Sequence, residues 1–123
     1  MPRILLIEDD LAVGTSIKLS LEDQEYEVIW AKSAEEALTK IDEDIDLILT
    51  DIWLPNKDGL QLIQELSKSN YFPPTIVMSG HGNIETAVKA TKLGAYDFLE
   101  KPLGVEKLLL SVQNCLNQFQ LQQ

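Results

Sequence analysis

The sequence predicts an α/β domain in which five strands alternate with five helices around a parallel sheet. Five apolar runs of strand length are separated by stretches with helical spacing of apolar residues. The runs do not alternate strictly with polar residues, which is typical of parallel strands covered on both faces. Right-handed crossovers then place helices on both sides of the sheet. The length of 123 residues fits a single domain.

The strands and helices follow one another in strict order along the chain. Apolar runs predict strands at residues 4–7, 28–30, 47–49, 75–78 and 96–99. Helical spacing predicts helices at 11–23, 33–41, 58–66, 84–93 and from 105 onward. Ser33 (with Glu36), Asp58 and Asn83 stand where they would cap the second, third and fourth helices, and Gly94 stands where the fourth would end.

Composition and charge exclude several classes of protein. Twenty acidic residues against ten basic ones give a net charge of −10, which argues against nucleic-acid binding by this segment. The single cysteine, Cys115, excludes an internal disulfide and a cysteine-based zinc site, and fits a reducing compartment. The apolar runs are far shorter than the about 20 residues that span a bilayer. With no secretory signal at the start, we expect a cytoplasmic protein.

The candidate functional residues are those that directly follow the strands. In an open parallel sheet, ligands bind outside the carboxyl ends of the strands. Acidic residues follow the first and third strands, a serine follows the fourth, and a Lys-Pro pair follows the fifth. In chain order these residues are Glu8, Asp9, Asp10, Asp51, Ser79, Lys101 and Pro102.

This group of side chains predicts phosphoryl chemistry assisted by a divalent cation. Carboxylates gathered at one edge repel each other unless a cation intervenes, and oxygen-only ligands favour Mg²⁺ or Mn²⁺ over zinc. Lys101 supplies another positive charge, and the Ser79 hydroxyl supplies a donor to a phosphoryl oxygen. An aspartate beside them is suited to attack phosphorus and form an aspartyl phosphate.

Four segments, IEDD, LTDIWLP leading to KDG, MSGHG and FLEKP, together resemble the receiver domains of two-component response regulators. The resemblance covers about residues 2–116, and each segment falls at the end of a predicted strand. It implies the flavodoxin-like doubly wound fold with strand order 2-1-3-4-5. It also implies that a sensor histidine kinase phosphorylates this domain, which then switches an output.

The resemblance further implies a role for each residue of the site. Asp51 would be the phosphoacceptor and would bind Mg²⁺ directly together with Asp10. Asp9 would act on the metal through water, and the backbone carbonyl of Trp53 would complete the protein ligands. Ser79 would be the switch hydroxyl, Phe98 the switch aromatic and Lys101 the phosphate partner, with a cis peptide bond before Pro102.

Within that family, the segments SGHG, IETAV and GAYDFLEKP look most like nitrogen-regulatory activators of sigma-54 transcription. Those proteins carry an ATPase domain and a DNA-binding domain after the receiver, and this sequence shows neither a phosphate loop nor a basic recognition helix. We assign 1–112 to the receiver and 113–123 to the end of the last helix, leading toward a linker. Whether the chain is an excised domain or stands alone stays open.

Other interpretations of the same residues remain open from the sequence. Asp9 and Asp10 would also serve as caps of the first helix, and Phe98 as an ordinary core aromatic. A metal-dependent phosphohydrolase would want Asp-x-Asp after the first strand, where this chain has Glu8 and Asp10. A binding module that keeps the receiver fold without phosphorylation is the remaining alternative.

The last helix predicts an interface between two copies of the chain. Its apolar residues recur at intervals of three and four, close to a heptad: Val105, Leu108, Val112, Cys115 and Phe119. Part of this stripe must pack on the sheet, and its end is expected to be uncovered. We therefore predict a homodimer through the fifth-helix region whose strength changes on phosphorylation.

Overall fold

A computed structural model describes residues 1–69, 71–80 and 84–121, with side chains as far as 119, and confirms the predicted alternation of strands and helices. The strands are β1 (Arg3–Ile7), β2 (Glu27–Ala31), β3 (Leu47–Asp51), β4 (Thr75–Ser79) and β5 (Asp97–Glu100). The helices are α1 (Leu11–Glu22), α2 (Ala34–Lys40), α3 (Gly59–Leu66), α4 (Ile84–Lys92) and α5 (Val105–Leu121).

The five strands form one parallel sheet in the order β2-β1-β3-β4-β5, as the resemblance implied. In the register of this sheet Asp51 is opposite Met78, and Ser79 is opposite Glu100. The carboxyl ends of β3, β4 and β5 therefore reach a common edge. That edge carries the residues that the sequence singled out.

Side chains of the sheet alternate between two apolar layers. Ile4 and Leu6 of β1 pack in a cluster that includes buried residues of α1 and α5. Leu5 and Ile7, their neighbours, pack in a cluster with residues of α2 and α3. Because both faces of the central strands are covered, an unbroken apolar run is the expected pattern, and the sequence has it.

Local capping confirms most of the predicted helix ends. The Ser33 hydroxyl accepts from the backbone N–H of Glu36 at 3.0 Å, whereas the Glu36 carboxylate accepts from Lys32, so the reciprocal half of the predicted box is missing. Asp58 forms a complete capping box with Gln61. α4 ends just before Gly94, whose φ of +112° lies in the left-handed region that glycine favours. The predicted cap Asn83 lies outside the described residues.

On α5, the prediction that part of the apolar stripe packs on the sheet is confirmed, and the prediction that its end is uncovered is wrong for Phe119. Leu108, Val112 and Cys115 are buried in the core cluster that includes α1 and the sheet. The ring of Phe119 packs edge-on against Tyr96, with 6.4 Å between centroids. The heptad-like spacing therefore serves the core, because α5 lies along the sheet for most of its length. Among the described helices, none combines the length and hydropathy needed to cross a bilayer.

Candidate functional site

Three carboxylates converge at the carboxyl edge of the sheet. Oxygens of Glu8, Asp9 and Asp51 lie within 4.8 Å of one another. Glu8 and Asp51 are buried, whereas Asp9 is exposed to solvent. Acids packed this closely repel one another, so the arrangement is stable only with cationic partners. The donor set, oxygen atoms alone, fits Mg²⁺ or Mn²⁺ and does not suit zinc.

Asp10, which the resemblance implied as a direct Mg²⁺ ligand, caps a helix in the structure. Its Oδ1 accepts from the backbone N–H groups of Ala12 at 2.9 Å and Val13 at 3.1 Å, which makes Asp10 the N-cap of α1. It is absent from the group of converging carboxylates among the described residues. The chain enters the helix at Leu11, and a carboxylate at the last extended residue is drawn to the unpaired N–H groups of the first turn. The capping alternative thus holds for Asp10 and not for Asp9.

Lys101 is the cationic partner that the protein itself supplies. Its Nζ donates to Asp51 Oδ2 at 2.8 Å and also to Glu8 Oε1. Burial lowers the pKa of Lys101, but the hydrogen bonds to Asp51 and Glu8 outweigh it and leave the pKa above its usual value. The ammonium group therefore stays charged. The peptide bond before Pro102 is cis, as the resemblance implied.

Glu8 is a buried acid whose environment works against its charge. Burial raises the pKa of Glu8 to about 7, although hydrogen bonds from Lys101 and from the backbone N–H of Asp10 act in the opposite direction. The carboxylate of Asp51 adds a further upward contribution. Glu8 is thus as much a part of the site as the aspartates.

Trp30 fixes the turn that carries these acids, and sequence reasoning did not identify it. Its indole Nε1 donates to the backbone carbonyl of Glu8 at 2.9 Å, and the Glu8 N–H donates to the carbonyl of Ala31 at 3.1 Å. A Cβ at Gly14 of α1 would lie only 2.1 Å from the Trp30 ring, so the indole and the helix are in close contact. The one available signal was an indole at the end of a strand, since a partly buried indole N–H requires an acceptor.

The end of β3 holds Asp51 in place through backbone contacts. The N–H of Trp53 donates to Asp51 Oδ1 at 3.1 Å, and the N–H of Ile52 donates to the Met78 carbonyl at 3.0 Å. A Cβ at Gly59 would lie 2.5 Å from the Asp51 carbonyl oxygen. Gly59 therefore leaves the space that the Asp51 carbonyl occupies after the turn.

Ser79 and Phe98 stand on the strands beyond Asp51. Ser79 is buried, and its Oγ accepts from the indole Nε1 of Trp53 at 2.8 Å. Phe98 is partly buried and packs against the cluster that contains Val77 and Ala90. The aromatic ring thus has core contacts, in agreement with the core alternative. In the register of the sheet, Phe98 is opposite Val77 of β4.

Residues 4–113 match the model of the response regulator receiver domain family. The chain belongs to this family. Phosphorylation by a kinase and the use of Mg²⁺ are general features of its members. A receiver domain has a signalling fold and does not belong to an established enzyme family, which weighs against the phosphohydrolase interpretation.

Curated relatives place this receiver near the regulators that the sequence suggested. It is 38% identical over 121 residues to the nitrogen assimilation regulatory protein NtrX of Azorhizobium caulinodans, covering 96% of this chain and 27% of the relative. It is 34% identical over 117 residues to the transcriptional regulatory protein GlrR of Escherichia coli, covering 94% of this chain and 26% of that one. The chain thus spans about a quarter of the length of these relatives.

Solved structures show the same fold and the same subgroup. The beryllofluoride-activated NtrC4 receiver domain dimer is 38% identical, with a TM-score of 0.90 over 97% of this chain and 99% of that chain. The receiver domain of NtrX from Brucella abortus is 39% identical, with a TM-score of 0.86 over 93% and 98%. This receiver is therefore related to those of the NtrX and NtrC regulators.

Proposed function

We propose that this receiver takes a phosphoryl group from a sensor histidine kinase onto Asp51. The observation that carries the proposal is the contact of the Asp51 carboxylate with Lys101 Nζ, 2.8 Å away, inside a group of three converging acids. An Asp51 oxygen would bond to phosphorus while the bond from phosphorus to the kinase imidazole nitrogen breaks. That nitrogen keeps the bonding electron pair and takes up a proton.

Side chains and a backbone N–H of this chain would stabilise the negative charge on the transferred phosphoryl group and orient the attacking carboxylate. The Lys101 ammonium lies where it would pair with an oxygen of the transferred group, since it already touches the attacking carboxylate. Ser79, at the end of the adjacent strand, would donate its hydroxyl proton to another phosphoryl oxygen. The N–H of Trp53, already on Asp51 Oδ1, would hold the carboxylate in one orientation.

We propose Asp9 and Asp51, with the backbone carbonyl of Trp53, as the protein ligands of Mg²⁺, with Mn²⁺ as a substitute. When Glu8, Asp9 and Asp51 are ionised, Lys101 offsets one of three negative charges, and a divalent cation would balance the other two. Bound there, the ion would withdraw charge from the phosphoryl oxygens. Asp10 is left out because its Oδ1 is engaged by the helix N-terminus.

The output we propose is a change at the face formed by α4, β5 and α5. Ser79 ends β4, and Phe98 lies on the neighbouring β5 opposite Val77, so a hydroxyl drawn toward Asp51 would alter the space beside the ring. Because the sequence resembles sigma-54 activators and the relatives include transcriptional regulatory proteins, we propose that a longer protein carries this receiver next to a sigma-54-type ATPase domain and controls transcription in the cytoplasm. The similarity to NtrX and GlrR supports this assignment.

We further propose a homodimer through the fifth-helix region. Its support is the NtrC4 receiver, described as a beryllofluoride-activated dimer, and the exposure of Val105 and Leu110 on α5. Sedimentation with and without beryllofluoride should show a change in mass that Leu110→Glu weakens. A monomer under both conditions would reject the dimer and leave the phosphoacceptor assignment in place.

The decisive test of the proposed function is phosphorylation by acetyl phosphate with Mg²⁺, followed by intact-mass measurement. The wild-type chain should gain one phosphoryl group, and Asp51→Asn should gain none, because the amide is a poor nucleophile and has lost its charge. Asp44→Asn is the matched control, since Asp44 is highly exposed and pairs only with Arg3 among the ion pairs described. Full labelling of Asp51→Asn, or no labelling of the wild type, would contradict the proposal.

A further inference from the structure

Trp53 joins the two residues on which the proposed switch depends. Its backbone N–H donates to Asp51 Oδ1 at 3.1 Å, and its indole Nε1–H donates to Ser79 Oγ at 2.8 Å. The phosphoacceptor carboxylate and the buried hydroxyl are thus connected through one residue. The Trp53 side chain is itself half exposed, at 50%, so its position is not imposed by core packing.

The backbone around these residues is held by hydrogen bonds, so we expect the side chains to make most of the conformational change. The N–H of Ile52 donates to the Met78 carbonyl at 3.0 Å, and the N–H of Lys101 donates to the Ser79 carbonyl at 2.9 Å. The strand ends that carry Asp51 and Ser79 are therefore tied to their neighbours. A Ser79 hydroxyl that approaches a phosphoryl group must do so by changing its rotamer or its local loop, and either change alters the distance from Oγ to the indole.

We propose that Trp53 is a positioning residue that holds Ser79 in its unphosphorylated arrangement. The hydrogen bond from the indole to Ser79 Oγ is made in the resting state and is lost when the hydroxyl turns to a phosphoryl group on Asp51. Trp53 thereby contributes to the free-energy difference between the resting and the active state of the receiver. This inference rests on the proposed function, because it needs Asp51 to be the site where the phosphoryl group arrives.

The size of the effect follows from the nature of the contact. A contact made in only one of two states biases their populations by its net free energy. A neutral hydrogen bond at a partly exposed site shifts such an equilibrium by roughly 2- to 10-fold. A ligand that binds only the active arrangement gains apparent affinity by the factor by which that arrangement becomes more populated.

The test is a double-mutant cycle read by beryllofluoride binding in the presence of Mg²⁺, followed by fluorine NMR. Trp53→Phe removes the indole N–H and keeps an aromatic ring, the backbone N–H to Asp51 and the backbone carbonyl. We expect Trp53→Phe to bind beryllofluoride about 2- to 10-fold more tightly. In the Ser79→Ala background the same substitution should have no effect, because the acceptor is gone.

A second measurement uses the unaltered chain. Nitrogen-15 NMR of the two indole groups gives one resonance for Trp30 and one for Trp53, which Trp53→Phe assigns. On addition of beryllofluoride the Trp53 indole proton should move upfield and exchange faster with water. The inference is overturned if the Trp53 indole resonance keeps its hydrogen-bonded chemical shift when beryllofluoride binds. It is also overturned if Trp53→Phe does not raise the affinity for beryllofluoride in the wild-type background, or raises it equally in the Ser79→Ala background.

The outcomes separate this inference from the proposed function. If the wild-type chain binds beryllofluoride tightly and Trp53→Phe binds it with the same affinity, the positioning role is rejected, while Asp51 is kept as the phosphoacceptor. Absence of beryllofluoride binding in the folded wild-type chain, checked by circular dichroism, removes both. Weaker binding by Trp53→Phe would show that the indole supports the active arrangement, and it likewise overturns the inference.

Discussion

The two sides of the site are each secured by a tryptophan, and the two contacts differ in kind. On the acidic side, Trp30 donates to the backbone carbonyl of Glu8 and packs tightly on α1 at Gly14. On the switch side, Trp53 is half exposed and donates to the side-chain hydroxyl of Ser79. The first contact is to an atom fixed by the β1–β2 pairing, and the second is to an atom that turns with a rotamer.

This difference indicates how one sheet edge combines a fixed metal site with a movable switch. Breaking the Trp30 contact requires that the turn after β1 move away from β2, where Glu8 also donates to Ala31. Breaking the Trp53 contact requires only that the Ser79 side chain change its rotamer and carry Oγ away from the indole. The acidic side should therefore respond to substitution through stability and metal binding, and the switch side through the balance between two states.

The largest expected effect comes from filling the space under Trp30. Gly14→Ala places a Cβ about where the indole ring lies, 2.1 Å from Cζ2, in a helix where alanine would otherwise gain stability. We expect the free energy of unfolding to fall by about 3 kcal/mol. Urea denaturation followed by circular dichroism measures this loss.

Trp30→Phe provides the matched background for that substitution. The phenyl ring is smaller than the indole, so Gly14→Ala should lower the free energy of unfolding far less in a Trp30→Phe chain than in the wild type. If the two costs are equal, the close contact between the ring and the helix does not determine the stability of the acidic side.

The next effect separates Asp9 from Asp10. Asp9→Asn should weaken Mg²⁺ binding by roughly tenfold or more, since it removes a charge from the converging group. Asp10→Asn should leave Mg²⁺ affinity nearly unchanged, because asparagine caps a helix about as well as aspartate. Isothermal titration of both variants measures the difference. A tenfold loss for Asp10→Asn and none for Asp9→Asn would restore the ligand set first expected from the sequence.

A last effect is a dependence of stability on pH that originates at Glu8. Its pKa is raised to about 7 in the folded protein, above the value of 4.5 expected for the unfolded chain. The folded state therefore binds more protons between these values, and the stabilising contribution is complete below pH 4.5 and lost as pH rises through about 7. Unfolding free energies measured in chelator from pH 5 to 8 should decline with pH.

Glu8→Gln is the control for this pH dependence, since it keeps the size of the side chain and removes the titrating group. The decline over pH 5 to 8 should become shallower in the variant. An identical slope in both chains would show that another group carries the effect.

Most of the fold is determined by local pattern, because strand-length apolar runs and helix caps act over a few residues. The run at 47–49 became β3, and Asp58 capped α3 as expected. Local pattern does not decide the outcome where the same spacing suits two surfaces. The spacing of Leu108, Val112 and Cys115 suits a core face as well as a dimer face, and only the position of α5 on the sheet decides for the core.

Within the site, the order of residues along the chain was enough to predict which chemical groups follow which strand: the acids after β1 and β3, the serine of β4 and the lysine after β5. It did not determine which of three consecutive acids faces Asp51. A strand reverses side-chain direction at each residue and a helix start recruits the nearest carboxylate, so a shift of one residue exchanges the roles of Asp9 and Asp10. The tertiary structure alone placed Trp30 on the Glu8 carbonyl and Trp53 on Ser79, because residues 22 and 26 positions apart meet only when the sheet brings their strands together.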